Sequence, residues 1–239
     1  MPKQLVALAA RNNAEWCDAV CRAHGRGGGF DDALWLSPHD KPRFYPDAVT
    51  LAGEESEARI VDAVSKLIAL RPHRGWAVKD SFCCIDLSGL GFAPLFDAHW
   101  IFRHPPGQDI PRPDVTARIL REENEIAAWS DAWNGGSSGD IPFKPALRSE
   151  PGILFVQVEH SGAIIGGGIL SKGAGVVGFS NVFSIGPDAD AVWQSLIGCA
   201  GVSFPGWSLV GYERGEDLEA ACRNGFQVIG PLRVWHRPE

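Results

Sequence analysis

The sequence predicts an α/β protein: a mixed sheet flanked by helices, built as two related copies. Three observations carry this. The chain repeats its own ending. The segments Trp76 to Arg103 and Val210 to Pro238 each read as an apolar strand, a short helix, a Gly-Phe pair and a strand that carries Trp and Arg, and from Gly91-Phe92 to Arg103 and from Gly225-Phe226 to Arg237 they align without a gap. Three apolar runs between 153 and 185 are joined by short Gly-bearing turns, the pattern of an antiparallel meander. Hydrophobic residues make up 45% of 239 positions and charged residues 21%, which suffices to bury a core.

In chain order, Asn13 to His24 predicts a helix stopped by Gly25 and the Gly27-Gly28-Gly29 run. Ala33 to Leu36 and Ala48 to Leu51 predict short strands on either side of a Pro-bearing loop. Glu54 to Leu70 has Ile60, Val64, Leu67 and Ile68 at helical spacing. Gly75 to Lys79 predicts a strand, a short helix precedes Gly91, and Ala93 to Arg103 predicts a long strand. The Pro-rich stretch 105–113 predicts a semi-rigid linker between a shortened first domain (1–104) and a second (114–239). Asp114 is placed to cap a helix running to Trp133, with Ile119, Ile126, Trp129 and Trp133 on one face. Ile153 to Glu159, Ala163 to Leu170 and Val176 to Ile185 form the meander. Helix Ala189 to Ala200, strand Ser208 to Tyr212, helix Glu216 to Asn224 and strand Gln227 to His236 complete the order.

The formal charge of −7, with no basic run, argues against nucleic acid and against an anionic membrane surface. No stretch is long enough to span a bilayer, and the apolar run Leu5 to Ala10 is too short for a signal-peptide core, so a cytoplasmic location is expected. The six Cys are scattered without a CxxC pair. Cys17, Cys21 and His24 share a helical face with Trp16 and Val20; three ligands fall short of the usual four, and no metal is expected.

Ser180-Asn181-Val182-Phe183, Val210-Gly211-Tyr212-Glu213, Gly225-Phe226 and Gly230-Pro231-Leu232-Arg233-Val234-Trp235, in this element order, resemble the GNAT superfamily of acyl-CoA N-acyltransferases. The resemblance covers roughly residues 114–237, and residues 14–103 look like a shortened second copy. It implies an acyl-CoA N-acyltransferase-like sheet whose fourth strand splays from the fifth. It further implies that the backbone of Val182, Phe183, Ser184, Ile185 and Gly186 holds the pantetheine arm of acetyl-CoA or another acyl-CoA. The following loop would bring N–H groups to the pyrophosphate at a helix N-terminus. The activity implied is transfer of an acyl group to an amine of a small molecule or peptide, with a homodimer as a possible assembly.

The sequence departs from that pattern in two places. The loop Gly186-Pro187-Asp188-Ala189-Asp190-Ala191 lacks the family's Arg/Gln-x-x-Gly-x-Gly/Ala spacing and carries two carboxylates, which as helix caps would occupy the donors that pyrophosphate uses. The first copy's loop, Ala52 to Glu57, is more acidic still. The Tyr that many members place four residues before the Gly of Gly-Phe is Ala221 here, and Leu87 in the first copy. The alternative function is therefore a non-catalytic GNAT-like module that binds a metabolite or a protein partner.

Glu213, at the C-terminal end of a parallel strand, is the general-base candidate, weighed against a solvated carboxylate that caps the next helix. Asn181 is the second polar candidate, against a hydrogen bond within the sheet. Phe44-Tyr45-Pro46 either lines a pocket or closes the first core. Gly166-Gly167-Gly168 marks a bulge or a close approach. Gly135-Gly136-Ser137-Ser138-Gly139 spells a hydrolase elbow but follows a helix instead of a strand, and is read as a loop.

Overall fold

The computed structural model describes residues 2–107, 115–136 and 141–239. Helix α1 (Pro2–Ala23) begins far ahead of the expected start at Asn13. Nothing between Lys3 and Ala23 breaks a helix, and Val6, Ala9 and Ala10 are buried with Trp16, Cys17, Val20 and Cys21. Strands β1 (Gly29–Phe30), β2 (Leu34–Leu36) and β3 (Ala48–Thr50) are short. Asp31 folds the β1–β2 turn by accepting the Ala33 and Leu34 N–H groups at 2.7 and 2.9 Å. Helix α2 (Glu57–Leu70) buries Ile60, Val64 and Leu67. Strand β4 (Trp76–Asp80) is buried at every position, and β5 (Ala93–Arg103) follows a turn closed by Gly91 at φ 82°.

The helix expected from Asp114 to Trp133 is two elements. Val115–Leu120 is a strand, β6, and the helix α3 is confined to Glu123–Trp133. Val115, Ala117 and Ile119 alternate with exposed Thr116 and Arg118, and the run pairs antiparallel with β7 (Ile153–His160) from Val115↔His160 to Leu120↔Phe155. The helix starts where Glu125 accepts the Arg121 and Glu122 N–H groups, both at 3.1 Å. Asp114, most of the predicted linker and Ser137 to Asp140 lie outside the described residues.

The meander is as expected: β7, β8 (Ala163–Gly173) and β9 (Val176–Ser184) pair antiparallel. Helix α4 (Ala189–Ser203), strand β10 (Leu209–Glu213), helix α5 (Gly215–Arg223) and strand β11 (Gln227–Arg237) close the described chain. Among the described residues every strand joins one eleven-stranded mixed sheet, in the order β1-β2-β3-β4-β11-β5-β10-β9-β8-β7-β6. The strands from before and after the predicted linker interleave in it. β5, from the first half, pairs with β10 of the second, whereas β11 pairs with β4 of the first, and β5 and β11 pair with each other.

Helices cover both faces. On one, α4 and α5 lie over Val177, Phe179 and Leu209, and α2 lies over Val78 and Ala48. On the other, α1 crosses from the first half to the second. Its Val6, Ala9 and Ala10 pack with Trp100, Val210 and Leu232, and its Trp16 and Val20 join Trp35, Trp129, Phe155 and Ile169. Asn12 pins the helix to β8 by donating to the Ser171 and Gly173 carbonyls at 2.9 and 3.2 Å. A Cβ at Gly178 would collide with the Asn12 amide, so this crossing needs glycine beneath it.

Candidate functional site

β9 and β10 are parallel, but they pair only at Val177↔Leu209 and Gly178↔Val210. Beyond these residues they part. The cause is a bulge in β9: across from it, Gly167 faces Phe183 and Ile169 faces Ser180, so β9 carries one extra residue. Asn181 sits at the bulge with φ 53°, a left-handed conformation that Asn tolerates better than most side chains. β10 turns its other edge to β5, with Tyr212↔Trp100 and Glu213↔His99. The backbone of β9 beyond Gly178, including Val182, Phe183 and Ser184, thus has no strand partner on the β10 side, although its other edge still pairs with β8.

A cavity of about 190 Å³ lies where the strands part, lined by parts of both halves. Asn181, Val182, Phe179, Tyr212 and Glu213 come from β9 and β10. Asn13, Trp16 and Cys17 come from α1, Tyr45 from the loop before β3, and Lys79 from β4. Glu213 is half-buried, and burial, then the Asp217 carboxylate on α5, pushes its pKa up to about 8. It does not cap α5, whose N-cap is Arg214. Asn181 accepts a hydrogen bond from the Tyr45 hydroxyl at 3.3 Å, a contact between the halves and not one within the sheet. Burial holds that phenol well above its ordinary pKa. Lys79, only 4% exposed, donates to Asn13 Oδ1 at 2.6 Å, with Nζ 4.2 Å from the centre of the Tyr212 ring.

The loop into α4 differs from expectation. Asp188 is the N-cap residue, but its side chain makes no capping bond. Asp190 turns toward the end of α5, where Arg223 and Asn224 donate to it at 3.2 and 2.9 Å. Asp188 does not act as the expected side-chain cap, and Asp190 is offset by a cation. Ile185 and Gly186 are exposed beside this loop.

Cys17 and Cys21 are buried on α1, where desolvation raises both thiols. His24 lies past the helix end, 2.8 Å from the Pro142 carbonyl. Among the described residues no group of three metal-ligating side chains converges. The three glycines of β8 serve both readings. The register shifts at Val158/Glu159 and Gly167/Ile169 mark bulges, and a Cβ on Gly167 would strike the Trp129 indole and the Val156 carbonyl. A larger groove of about 970 Å³ runs between β6 and α4; among the described residues its lining has no carboxylate or histidine to act as a base.

Of the residues that line this cavity, the sequence reading singled out Glu213, Asn181 and Val182 as candidates and left Tyr45 as a possible pocket residue; it did not single out Lys79, Asn13 or Tyr212. The available signal was a lysine within the otherwise apolar start of a buried strand, Trp76-Ala77-Val78-Lys79.

No family model matches the chain, and no curated protein matches its sequence. Solved structures do match. A GCN5-related N-acetyltransferase from Kribbella flavida superposes with a TM-score of 0.65 at 14% identity, over 97% of this chain and 96% of that one. A GCN5-related N-acetyltransferase from Sphaerobacter thermophilus superposes at 0.57 and 15% identity, over 97% and 93%. A functionally unknown conserved protein from Staphylococcus epidermidis superposes at 0.59 and 9% identity, over 88% and 93%. The chain has the GNAT acyltransferase fold.

Proposed function

We propose, from that fold, that this protein moves an acyl group from an acyl-coenzyme A to the amine of a small molecule or peptide where β9 and β10 part. The observation that carries the reading is a carboxyl of raised pKa, Glu213, at an opening between parallel strands. Ionised Glu213, directly or through a water, takes a proton from the ammonium of the acceptor. The freed nitrogen lone pair attacks the thioester carbonyl carbon and the C–N bond forms. The C–S bond then breaks, its electron pair leaves on sulfur, and the second proton of the now amide nitrogen passes through water to the thiolate, giving the neutral amide and the free thiol. The unpaired backbone edge of Val182, Phe183 and Ser184 suits the amide groups of a pantetheine arm, with Ile185 and Gly186 continuing toward the α4 N-terminus. Asn181 fixes the bulge through Tyr45.

We further read residues 1–104 and 114–239 as two copies that exchange their last strands across a linker at 105–113. β4 pairs with β11 from Trp76↔Arg237 to Asp80↔Arg233, much as β10 pairs with β5 from Leu209↔Arg103 to Glu213↔His99. We read the first copy's opening as closed by its own side chains. Ser81 N–H donates to Thr50 Oγ1 at 2.8 Å, and Asp80 accepts the Phe82, Cys84 and Ile85 N–H groups. Chemistry is assigned to the second copy alone.

The second reading, a non-catalytic binding module, is favoured by one observation: the loop Gly186 to Ala191 offers no cation and no paired glycines for pyrophosphate. Titrating the protein with acetyl-coenzyme A by calorimetry, then assaying thiol release with a panel of amines, separates the two. Binding with release that is lost in Glu213→Gln supports transfer. Absence of binding favours the module.

A further inference from the structure

We infer that the acceptor carries a carboxylate, held by Lys79 across the cavity from Glu213, so that the substrate class is small amino acids. This rests on the acyl-transfer reading of the same site. A buried ammonium has three donors and a large desolvation cost. Among the described residues, Lys79 meets one neutral acceptor, the Asn13 amide oxygen at 2.6 Å, and the face of Tyr212, and no carboxylate forms an ion pair with it. Its charge is therefore only partly compensated while the cavity is open. Among the described residues, Lys79 is the cation that lines this cavity and Glu213, once ionised, is its carboxylate. That polarity matches a ligand with an ammonium at one end and an anion at the other.

The side of the sheet decides which substrate meets Lys79. Its neighbours Asn13 and Tyr212 lie on the α1 face, where Tyr212 packs beside Val6, Ala9 and Val210. The loop proposed for pyrophosphate begins α4, which lies on the opposite face over Val177 and Leu209. Lys79 thus faces the acceptor and not the cofactor's phosphates. A volume of about 190 Å³, walled by Trp16, Tyr45 and Phe179, suits a small amino acid and excludes a folded peptide segment. A single cation suits a monoanion better than a phosphate.

The test uses matched pairs with the intact protein: β-alanine against ethylamine, and 4-aminobutanoate against propylamine, as acceptors from acetyl-coenzyme A. A charge-assisted hydrogen bond predicts that kcat/KM for the better amino acid exceeds that of its amine by about 10- to 100-fold. Lys79→Met should erase this preference by lowering the amino-acid rate far more than the amine rate, while Lys79→Arg should keep part of it. In parallel, propionate should quench the tryptophan fluorescence of the wild-type protein saturably where propanol does not, since Trp16 lines the cavity. This arm needs no turnover. Propionate binding without acetylation of any amine would sink acyl transfer and leave the anion pocket standing. Equal rates for acid and amine, with no propionate response, would overturn the carboxylate assignment even if acetylation occurs. So would a Lys79→Met loss that is equal for both members of each pair. If Lys79→Met does not fold, the wild-type pairs and propionate titration decide alone.

Discussion

Glu213 holds its proton up to about pH 8 because burial, reinforced by Asp217, disfavours its charge. The kcat of acyl transfer should therefore rise with pH through about 8 and level off above it. Asp217→Asn should move that limb to lower pH, and Glu213→Gln should abolish it, as steady-state pH profiles would show. Stability carries the same signature. The folded protein binds this proton more tightly than the unfolded chain, in which the carboxyl titrates near 4.5, so stability falls as pH rises from about 4.5 to about 8. Melting curves of Glu213→Gln and wild type should agree more closely at pH 4 than at pH 9, where the variant should be the more stable. In the α4 loop, Asp188→Asn should tighten acetyl-coenzyme A binding about two- to fivefold at low ionic strength, as expected of a screened charge at a helix end. Asp190→Asn should do less, because Arg223 already offsets that charge. Calorimetry at two salt concentrations would check both. That Glu213 and Asn181 lie where β9 and β10 part was legible from position in the strand order. Lys79, Tyr45 and Asn13 were not legible as one site with them, because they approach from the other half of the chain, and spacing along a sequence carries no record of that approach.

Among the elements, β8 owes its place to glycines that other groups crowd. Gly167→Ala would push a methyl group into the Trp129 indole, whose N–H donates to the Val156 carbonyl at 3.0 Å, and into that carbonyl itself. A loss of about 2 kcal/mol or more is expected, readable as a lower midpoint in urea, because a packed core absorbs overpacking poorly. The meander, α2, β5 and the order from α4 to β11 were legible, since each has a clear period and a glycine or turn at its ends. The stretch 114–133 was not. Ile119, Ile126, Trp129 and Trp133 fall by accident at helical spacing across a strand and a helix, and the local alternation of Val115, Ala117 and Ile119 is what the pairing with β7 enforces. The length of α1 was missed for a different reason. Its first turns contain no capping signal, and their buried face is completed by β5, β10 and β11, far along the chain.

At the scale of the whole molecule, the pairing of β5 with β10 and of β11 with β4 ties residues before and after the predicted linker into one sheet. Residues 1–104 and 114–239 expressed separately should each fail to give near-ultraviolet circular dichroism, since each lacks a strand that the other supplies. Co-expressed, they should recover it in a joint complex. The intact protein should melt in one transition by both tryptophan fluorescence and far-ultraviolet dichroism; two separated transitions would contradict the shared core. The strand order has a further consequence for synthesis. β11 leaves the ribosome after every other described strand, yet it occupies the middle of the sheet between β4 and β5. A nascent chain paused before Gln227 holds two unsatisfied strand edges that await the same insert. Neighbouring chains on one messenger present identical edges at high local concentration, and edge pairing between them competes with completion. Slow translation of the last residues should therefore raise the share of strand-exchanged oligomers in the product.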